Sequence, residues 1–325
     1  MKIGILGAGN IATKMAATLN AMNSAGENFE AYAVASRSLD KAKEFAEKNK
    51  ISKFYGNYEE LAADREVDLI YVATPHSHHF EHGRLCLEAG KPVLIEKAFA
   101  GNARQARALV EISQRKKIFL AEAIWTRYLP IRAVTEKILE SGAIGKIFSL
   151  TTSLSYKLTH VERMQKPELA GGALLDLGVY VINSALMAFG EPISVESSVE
   201  MFENYGVDKN VSMVMSFKGG ETAVLFCDLD EALGRQVTIV GSSGILVLDD
   251  VNSSQEAKIF LHNGESKTYK ASFDINGFEY EIRACADAII SGAIEPKQMP
   301  HAETIRVMEI MDGIREKAGI HYPFD

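Results

Sequence analysis

The stretch KIGILGAGNIATKMAATLN, residues 2–20, decides the fold. A short apolar run that reads as a strand enters Gly7, Ala8 and Gly9, and a helical pattern begins at once. Gly7, Gly9 and Ala12 stand in the G-x-G-x-x-G/A spacing. The first glycine permits the tight turn, the second lets a pyrophosphate approach the backbone, and the small third residue lets helix and strand lie close. The first N–H groups of the helix, around Asn10 and Ile11, are then free to hold phosphate. A glycine turn alone is also a common structural joint. Its place inside a strand–helix–strand unit makes dinucleotide binding the better reading.

Working outward, EAYAVAS, DLIYVAT, PVLIE and IFLAEA continue the strand signals to residue 123. Helical patterns such as LDKAKEFAEKNK and NARQARALVEISQRKK lie between them. That alternation predicts a parallel sheet with helices on both faces over residues 1–123. After WTRYLP the rhythm changes. A helix over 130–141, the strand KIFSLTTSLSY and a long helix over 171–189 come first. Strands joined by KGGE, GSSG and HNGE then fill 193–270. Helices over 277–291 and 301–318 close the chain. Residues 124–325 therefore read as an α+β domain with a mostly antiparallel sheet.

The bulk composition excludes several functions. The 325 residues are 47% hydrophobic and 24% charged, with net charge −8 and no basic block, so neither nucleic acid nor an anionic membrane is an expected partner. Cys86, Cys227 and Cys285 are far apart and form no C-x-x-C, which fits a reducing, cytoplasmic setting rather than a disulfide framework. The opening strand leaves no room for a signal peptide. The apolar stretch GGALLDLGVYVINSALMAFG, residues 171–190, carries Asp176 and Asn183 and reads as too interrupted for a membrane span.

Three further stretches carry chemistry. In VASRSLDK, residues 34–41, Ser36 and Arg37 occupy the second strand tip where an NAD site usually has an acid, and Lys41 follows one turn on. A guanidinium suits a 2′-phosphate, so NADP(H) is favoured over NAD(H). ATPHSHHFEH, residues 73–82, is histidine-rich but lacks a convincing ligand set, so no metal is expected. Thr74, Pro75 and His79 instead belong to a loop at a strand's carboxyl end, where ligands of open α/β sheets bind. PVLIEKAFAG, residues 92–101, ends an inner strand in Glu96 and Lys97, and charges there are rare unless paired or working.

GGALLDLGVY, residues 171–180, sets Asp176 and Tyr180 four positions apart on one helix face. Taken singly, each is as well explained by core packing or by the helix dipole. Together, GAGNIA, TPHSHH, EKAFAGNA and GGALLDLGVY resemble, in order, the motifs of the Gfo/Idh/MocA oxidoreductase family. EAIWTRYLP, NGFEYEIRACADAI and MPHAETIRVMEIMD look more narrowly like its dimeric dihydrodiol dehydrogenase subgroup.

The resemblance implies a Rossmann domain, then a domain built on a large, mostly antiparallel open sheet, with a homodimer through that sheet. It also implies NADP-linked hydride transfer between nicotinamide and a small carbonyl or alcohol: a sugar, a dicarbonyl or a cyclic trans-diol. An aldose or polyol dehydrogenase is the nearest alternative, and a non-catalytic nucleotide sensor is the alternative from another class. Lys97 matches the lysine of the family's E-K-P, Tyr180 the subgroup's catalytic tyrosine, and Asp176 the aspartate one turn before it. A lysine ammonium beside the phenol would lower a pKa that is ordinarily near 10, suiting it to proton transfer. His79 matches the histidine of T-P-N-x-x-H. Two departures stand out: Ala98 replaces the proline of E-K-P, which loosens the backbone after Lys97, and His76 replaces the asparagine of T-P-N. Trp125, Arg127, Leu154 and Tyr156 are candidates for the substrate pocket.

Overall fold

The computed structural model describes residues 1–232 and 234–325. Its first strands are β1 (Lys2–Leu6), β2 (Glu30–Ala35), β3 (Lys53–Tyr55), β4 (Leu69–Val72), β5 (Val93–Glu96) and β6 (Leu120–Ala123). They lie in the order β3-β2-β1-β4-β5-β6, and every neighbouring pair is parallel. Strands covered on both faces read as unbroken apolar runs, and β4 and β5 are buried at every position. The helices between them are α1 (Asn10–Ser24), α2 (Leu39–Asn49), α3 (Tyr58–Ala63), α4 (His79–Glu88) and α5 (Ala103–Lys116). Strand order reverses between β1 and β4, and a crevice opens at such a reversal, outside the strands' carboxyl ends. The elements β3 and α3 carry no strong sequence signal. β3 is only the three residues KFY, exposed at two of them on the sheet edge.

By internal contacts the chain divides into Met1–Ile124 with Asp274–Met308, and Trp125–Phe273 with Glu309–Asp325. Residues 274–308, read from sequence with a second domain running 124–325, thus group with the first unit. The cause is α8 (Phe278–Ile290), whose Ile282, Cys285 and Ala288 share one apolar core with Met15, Leu19, Tyr71 and Leu94.

The second unit contains α6 (Pro130–Glu140), β7 (Ile147–Ser155), α7 (Val179–Phe189), β8 (Ser194–Met201), β9 (Asp208–Ser216) and β10 (Thr222–Asp228). It continues with β11 (Val237–Gly241), β12 (Gly244–Leu248), β13 (Glu256–Leu261), β14 (Ser266–Lys270) and the later turns of α9 (His301–Ala318). The sheet order is β14-β13-β12-β11-β7-β10-β9-β8, antiparallel except where β7 meets β10. Alternation along the strands sorts the faces. Leu150, Met213, Leu225 and Leu246 are buried on the side that α7 packs against. The opposite face carries Val214 opposite Val224, each more than two-fifths exposed, and Phe260 opposite Ile245.

The 171–189 helix is interrupted. Leu174–Gly178 forms one π-helical turn, and only then does α7 begin. The segment Pro167–Phe189 contains an 18-residue window of mean hydropathy 1.6 and is long and apolar enough to cross a membrane, so Asp176 and Asn183 do not exclude a span on composition. Burial of 83% of that window accounts for it as a core helix of the second unit.

Candidate active site

Gly7 has φ +111°, and a Cβ there would lie 2.8 Å from the Ala73 carbonyl oxygen, so only glycine fits between β1 and the loop after β4. Gly9 is different. A Cβ there would meet nothing within 4 Å, which leaves open space above the first turn of α1. No side chain caps that turn, whereas Ser38, Asn57 and Asn102 cap α2, α3 and α5. Uncapped N–H groups beside an open glycine fit a pyrophosphate, and Asn10, Ile11 and Ala12 follow directly.

At the β2 tip Ser36 is buried and Arg37 exposed, and Lys41 sits in the first turn of α2. The charge of Arg37 pulls down the pKa of His78 and, as a lesser influence, of His82, and also acts on Tyr58. Burial is the larger cause for both histidines and holds His82 at about 4, so both rings are neutral at pH 7. His82 Nδ1 lies 2.9 Å from the Thr74 hydroxyl, and its ring meets Tyr58 edge-on. The tip is thus cationic, with no carboxylate at residues 36–38.

His79 is fully buried, with Nδ1 2.7 Å from the Ala98 carbonyl oxygen and Nε2 2.8 Å from that of Thr74. Two facing carbonyls favour an imidazolium, but burial is the stronger influence and pushes the pKa down to about 4. The ring is therefore neutral and donates to one carbonyl at a time. It ties the Thr74–Pro75 loop to the residue after Lys97. Where the family has proline, the Ala98 carbonyl faces His79 and the Ala98 side chain is fully buried.

Glu96 ends β5 buried, accepting from the Tyr71 hydroxyl and from the Lys97 N–H at 3.2 Å. Tyr71 carries no sequence signal beyond its place in an apolar strand. Among the described residues no three of His, Cys, Asp and Glu gather as a metal site.

In the second unit Asp176 lies in the π turn, 4% exposed, and takes an ion pair from Arg163 at 3.1 Å. Tyr180 follows in the first turn of α7, 8% exposed. Of the pocket candidates, Arg127 is buried and donates to Asn183 Oδ1 at 2.6 Å, and Leu154 is fully buried in β7. Trp125 packs against Phe273, and the Tyr156 hydroxyl accepts from Arg235 at 2.5 Å. Sequence reasoning gave no site role to Arg163, Asn183 or Arg235, because polar side chains with distant partners leave no local pattern.

Comparison with known proteins agrees across both units. Residues 1–123 match the model of an oxidoreductase family with an NAD-binding Rossmann fold, and residues 133–247 match the GFO/IDH/MocA C-terminal domain. Trans-1,2-dihydrobenzene-1,2-diol dehydrogenase of Mus musculus is 33% identical, with 100% of this chain and 99% of that protein covered. D-xylose 1-dehydrogenase (NADP(+)) of Hypocrea jecorina is 35% identical, covering 99% of this chain and 93% of that one. Among solved structures, KijD10, a 3-ketoreductase from Actinomadura kijaniata in complex with NADP and TDP-benzene, superposes with TM-score 0.86 at 26% identity and covers 97% of each chain. The aldose-aldose oxidoreductase of Caulobacter crescentus shares the fold, with TM-score 0.87 at 22% identity and 98% and 97% of the two chains covered. With both of its units matched and full-length relatives above 30% identity, the chain belongs to the Gfo/Idh/MocA oxidoreductase family.

Proposed function

We propose that the chain is an NADP(H)-dependent oxidoreductase in which Lys97 and Tyr180 serve one hydride transfer to or from a small sugar, dicarbonyl or cyclic trans-diol. The carrying observation is a glycine turn open at Gly9 beside a β2 tip that offers Arg37 and no acid. Asn10, Ile11 and Ala12 would receive the pyrophosphate, Ser36, Arg37 and Lys41 the 2′-phosphate, and the loop of Thr74, Pro75 and His79 would flank the nucleotide. NADP is named for the xylose dehydrogenase and bound in the ketoreductase structure, which supports the choice.

Bound NADP(H) supplies or accepts the hydride at its nicotinamide. Everything else falls to side chains. In the reducing direction Tyr180 gives its phenolic proton to the carbonyl oxygen, and in the oxidising direction it takes the hydroxyl proton. Lys97 favours the phenolate and stabilises the alkoxide as charge develops. Asp176, paired with Arg163, orients the substrate or the lysine. Trp125, Arg127, Leu154 and Tyr156 would shape the pocket, with Leu154 acting only through packing because it is fully buried. Three cysteines that all remain free thiols support a reducing, cytoplasmic setting.

Mixing the protein with NADPH and a panel of aldoses and dicarbonyls, and following the loss of reduced-coenzyme absorbance, tests the activity. Tight NADPH binding without turnover on any of them would favour the sensor instead. For coenzyme choice, Arg37→Asp is expected to weaken NADP(H) binding by about 1–3 kcal/mol and to leave NAD(H) nearly unchanged. Equal losses for both coenzymes in a fluorescence titration would remove Arg37 from the 2′-phosphate site.

The outward face of the second-unit sheet supports a homodimer. Val214, Val224, Ile245, Val247 and Phe260 share it, and cross-strand register brings Val247, Thr238, Thr151, Val224 and Val214 into one row. A second copy would cover this apolar face. Light scattering at micromolar concentration should give twice the monomer mass for the wild type and the monomer mass for Val224→Asp. A monomeric wild type refutes the dimer.

A further inference from the structure

The turn before the Tyr180 helix is built around two glycines. A Cβ on Gly171 would lie 2.6 Å from the Met164 carbonyl oxygen. Gly172 has φ +109°, and a Cβ there would come within 2.1 Å of Asp208 Oδ1. Asp208 is the first residue of β9 and is fully buried. Its Oδ2 accepts the N–H of Leu174 at 2.5 Å, and Leu174 opens the π turn that holds Asp176 and leads into Tyr180. On the other side of the turn the buried Tyr322 hydroxyl donates to the Gly171 carbonyl oxygen at 2.9 Å. Tyr322 is itself fixed. The Arg315 guanidinium lies 4.2 Å from its ring centroid, and its N–H donates to Asp325 Oδ2 at 2.7 Å, the same oxygen that Arg315 contacts at 2.5 Å.

A carboxylate with no exposure is costly unless it is hydrogen-bonded to something that needs it. Here Oδ2 receives the Leu174 N–H at the start of a helix, the place where a negative charge is most favoured, while Oδ1 is left without a hydrogen bond among the described residues. We propose that Asp208 and Tyr322 are positioning residues that fix the Gly171–Gly172 turn from its buried side and so set the orientation of Tyr180 for proton transfer. This rests on the catalytic reading of Tyr180 given above.

The arrangement has a pH signature. Burial raises the Asp208 carboxyl to about 6, against the pull of the N–H groups of Leu174 and Ala173 and of Arg315 on α9. Cys227 on β10 and Tyr322 also face it, and burial raises both well above their usual range, so they stay neutral. Arg315 is the cation that faces it, engaged by Asp312 and Asp325. Because the folded pKa is above the ordinary value of 3.8, protonation of Asp208 favours the folded state, and this contribution is lost as pH rises through about 6. The helix cap, in contrast, is strongest when the group is ionised. Stability and helix order therefore run in opposite directions between pH 4 and 6.

Asp208→Asn keeps the shape and removes the charge. Expected results are a turnover loss of about 10–100-fold, the scale of a small misplacement, with NADPH affinity unchanged. The acid limb near pH 6 in the wild-type rate profile should vanish in the variant. Amide exchange at Leu174, corrected for intrinsic pH dependence, should speed up in Asp208→Asn and in the wild type below pH 6. Tyr322→Phe should give a smaller turnover loss with the acid limb intact. Wild-type turnover and unchanged Leu174 exchange in Asp208→Asn would overturn the proposal. Should that variant not fold, the wild-type exchange series decides: flat protection across pH 5–7 overturns the proposal. Retained turnover in Tyr180→Phe is a different failure, of the catalytic reading, and leaves the exchange at Leu174 to decide whether Asp208 caps the helix.

Discussion

Tyr180→Phe is expected to lower turnover by about 10²–10⁴-fold, the usual contribution of a general acid–base group, with NADPH affinity essentially unchanged. Only the hydroxyl is lost, and in the proposed chemistry that atom acts on the substrate oxygen. Tyr180 is 8% exposed in the first turn of α7, so a packing role also predicts an effect, but a different one. Loss of one hydrogen-bonding group costs about 0.5–1.5 kcal/mol of stability and leaves the folded molecules fully active. Turnover per folded, coenzyme-bound site separates the two. Near-wild-type values would end the mechanism.

Lys97→Met is expected to be of similar size, with a further signature. If the ammonium lowers the phenol's pKa, its removal raises that pKa, and the alkaline limb of the residual activity moves to higher pH. A limb that stays in place would mean the lysine does not act on the tyrosine. The double variant Lys97→Met with Tyr180→Phe should cost much less than the two losses combined, since groups that serve one proton transfer fail together. Strictly additive losses would mean that the two residues act in separate steps. The residues around Lys97 make methionine a mild test of structure. Glu96 is held by Tyr71 and by the Lys97 N–H, and Ala98 by His79, all through atoms that the substitution leaves in place.

Local patterns told most of the first unit. Strand, glycine turn and helix at residues 2–24 need only neighbours in sequence, and so does the absence of an acid at residues 36–38. What could not be read depends on distant partners. β3 is a strand only because β2 offers it an edge, since Lys53, Phe54 and Tyr55 show no period worth reading. The helix at 278–290 has an ordinary amphipathic pattern, and nothing in it says that its apolar side packs on residues more than 250 positions earlier. The break at Leu174–Gly178 was hidden because a π turn and an α turn share the same apolar residues. Lys97, Asp176 and Tyr180 stand out in the sequence only through family motifs, and their catalytic roles are the proposal made above. The partners Tyr71, Arg163 and Asp208 leave no such signal, because a buried hydrogen bond or ion pair leaves no mark at the other end of the chain.

The return of Asp274–Met308 to the first unit has a consequence for how the molecule is made. On the ribosome, β1 to β6 and the helices between them emerge first, yet Ile282, Cys285 and Ala288 are still missing from their core. All of Trp125–Phe273 must be polymerised in between, which takes on the order of ten seconds at typical rates. During that interval Met15, Leu19 and their neighbours lack part of their apolar cover, and the first unit is not yet a finished fold. Its core can close only after Trp125–Phe273 has been made, while the second unit still waits for Glu309–Asp325, which brings Arg315 and Tyr322 to the turn before Tyr180.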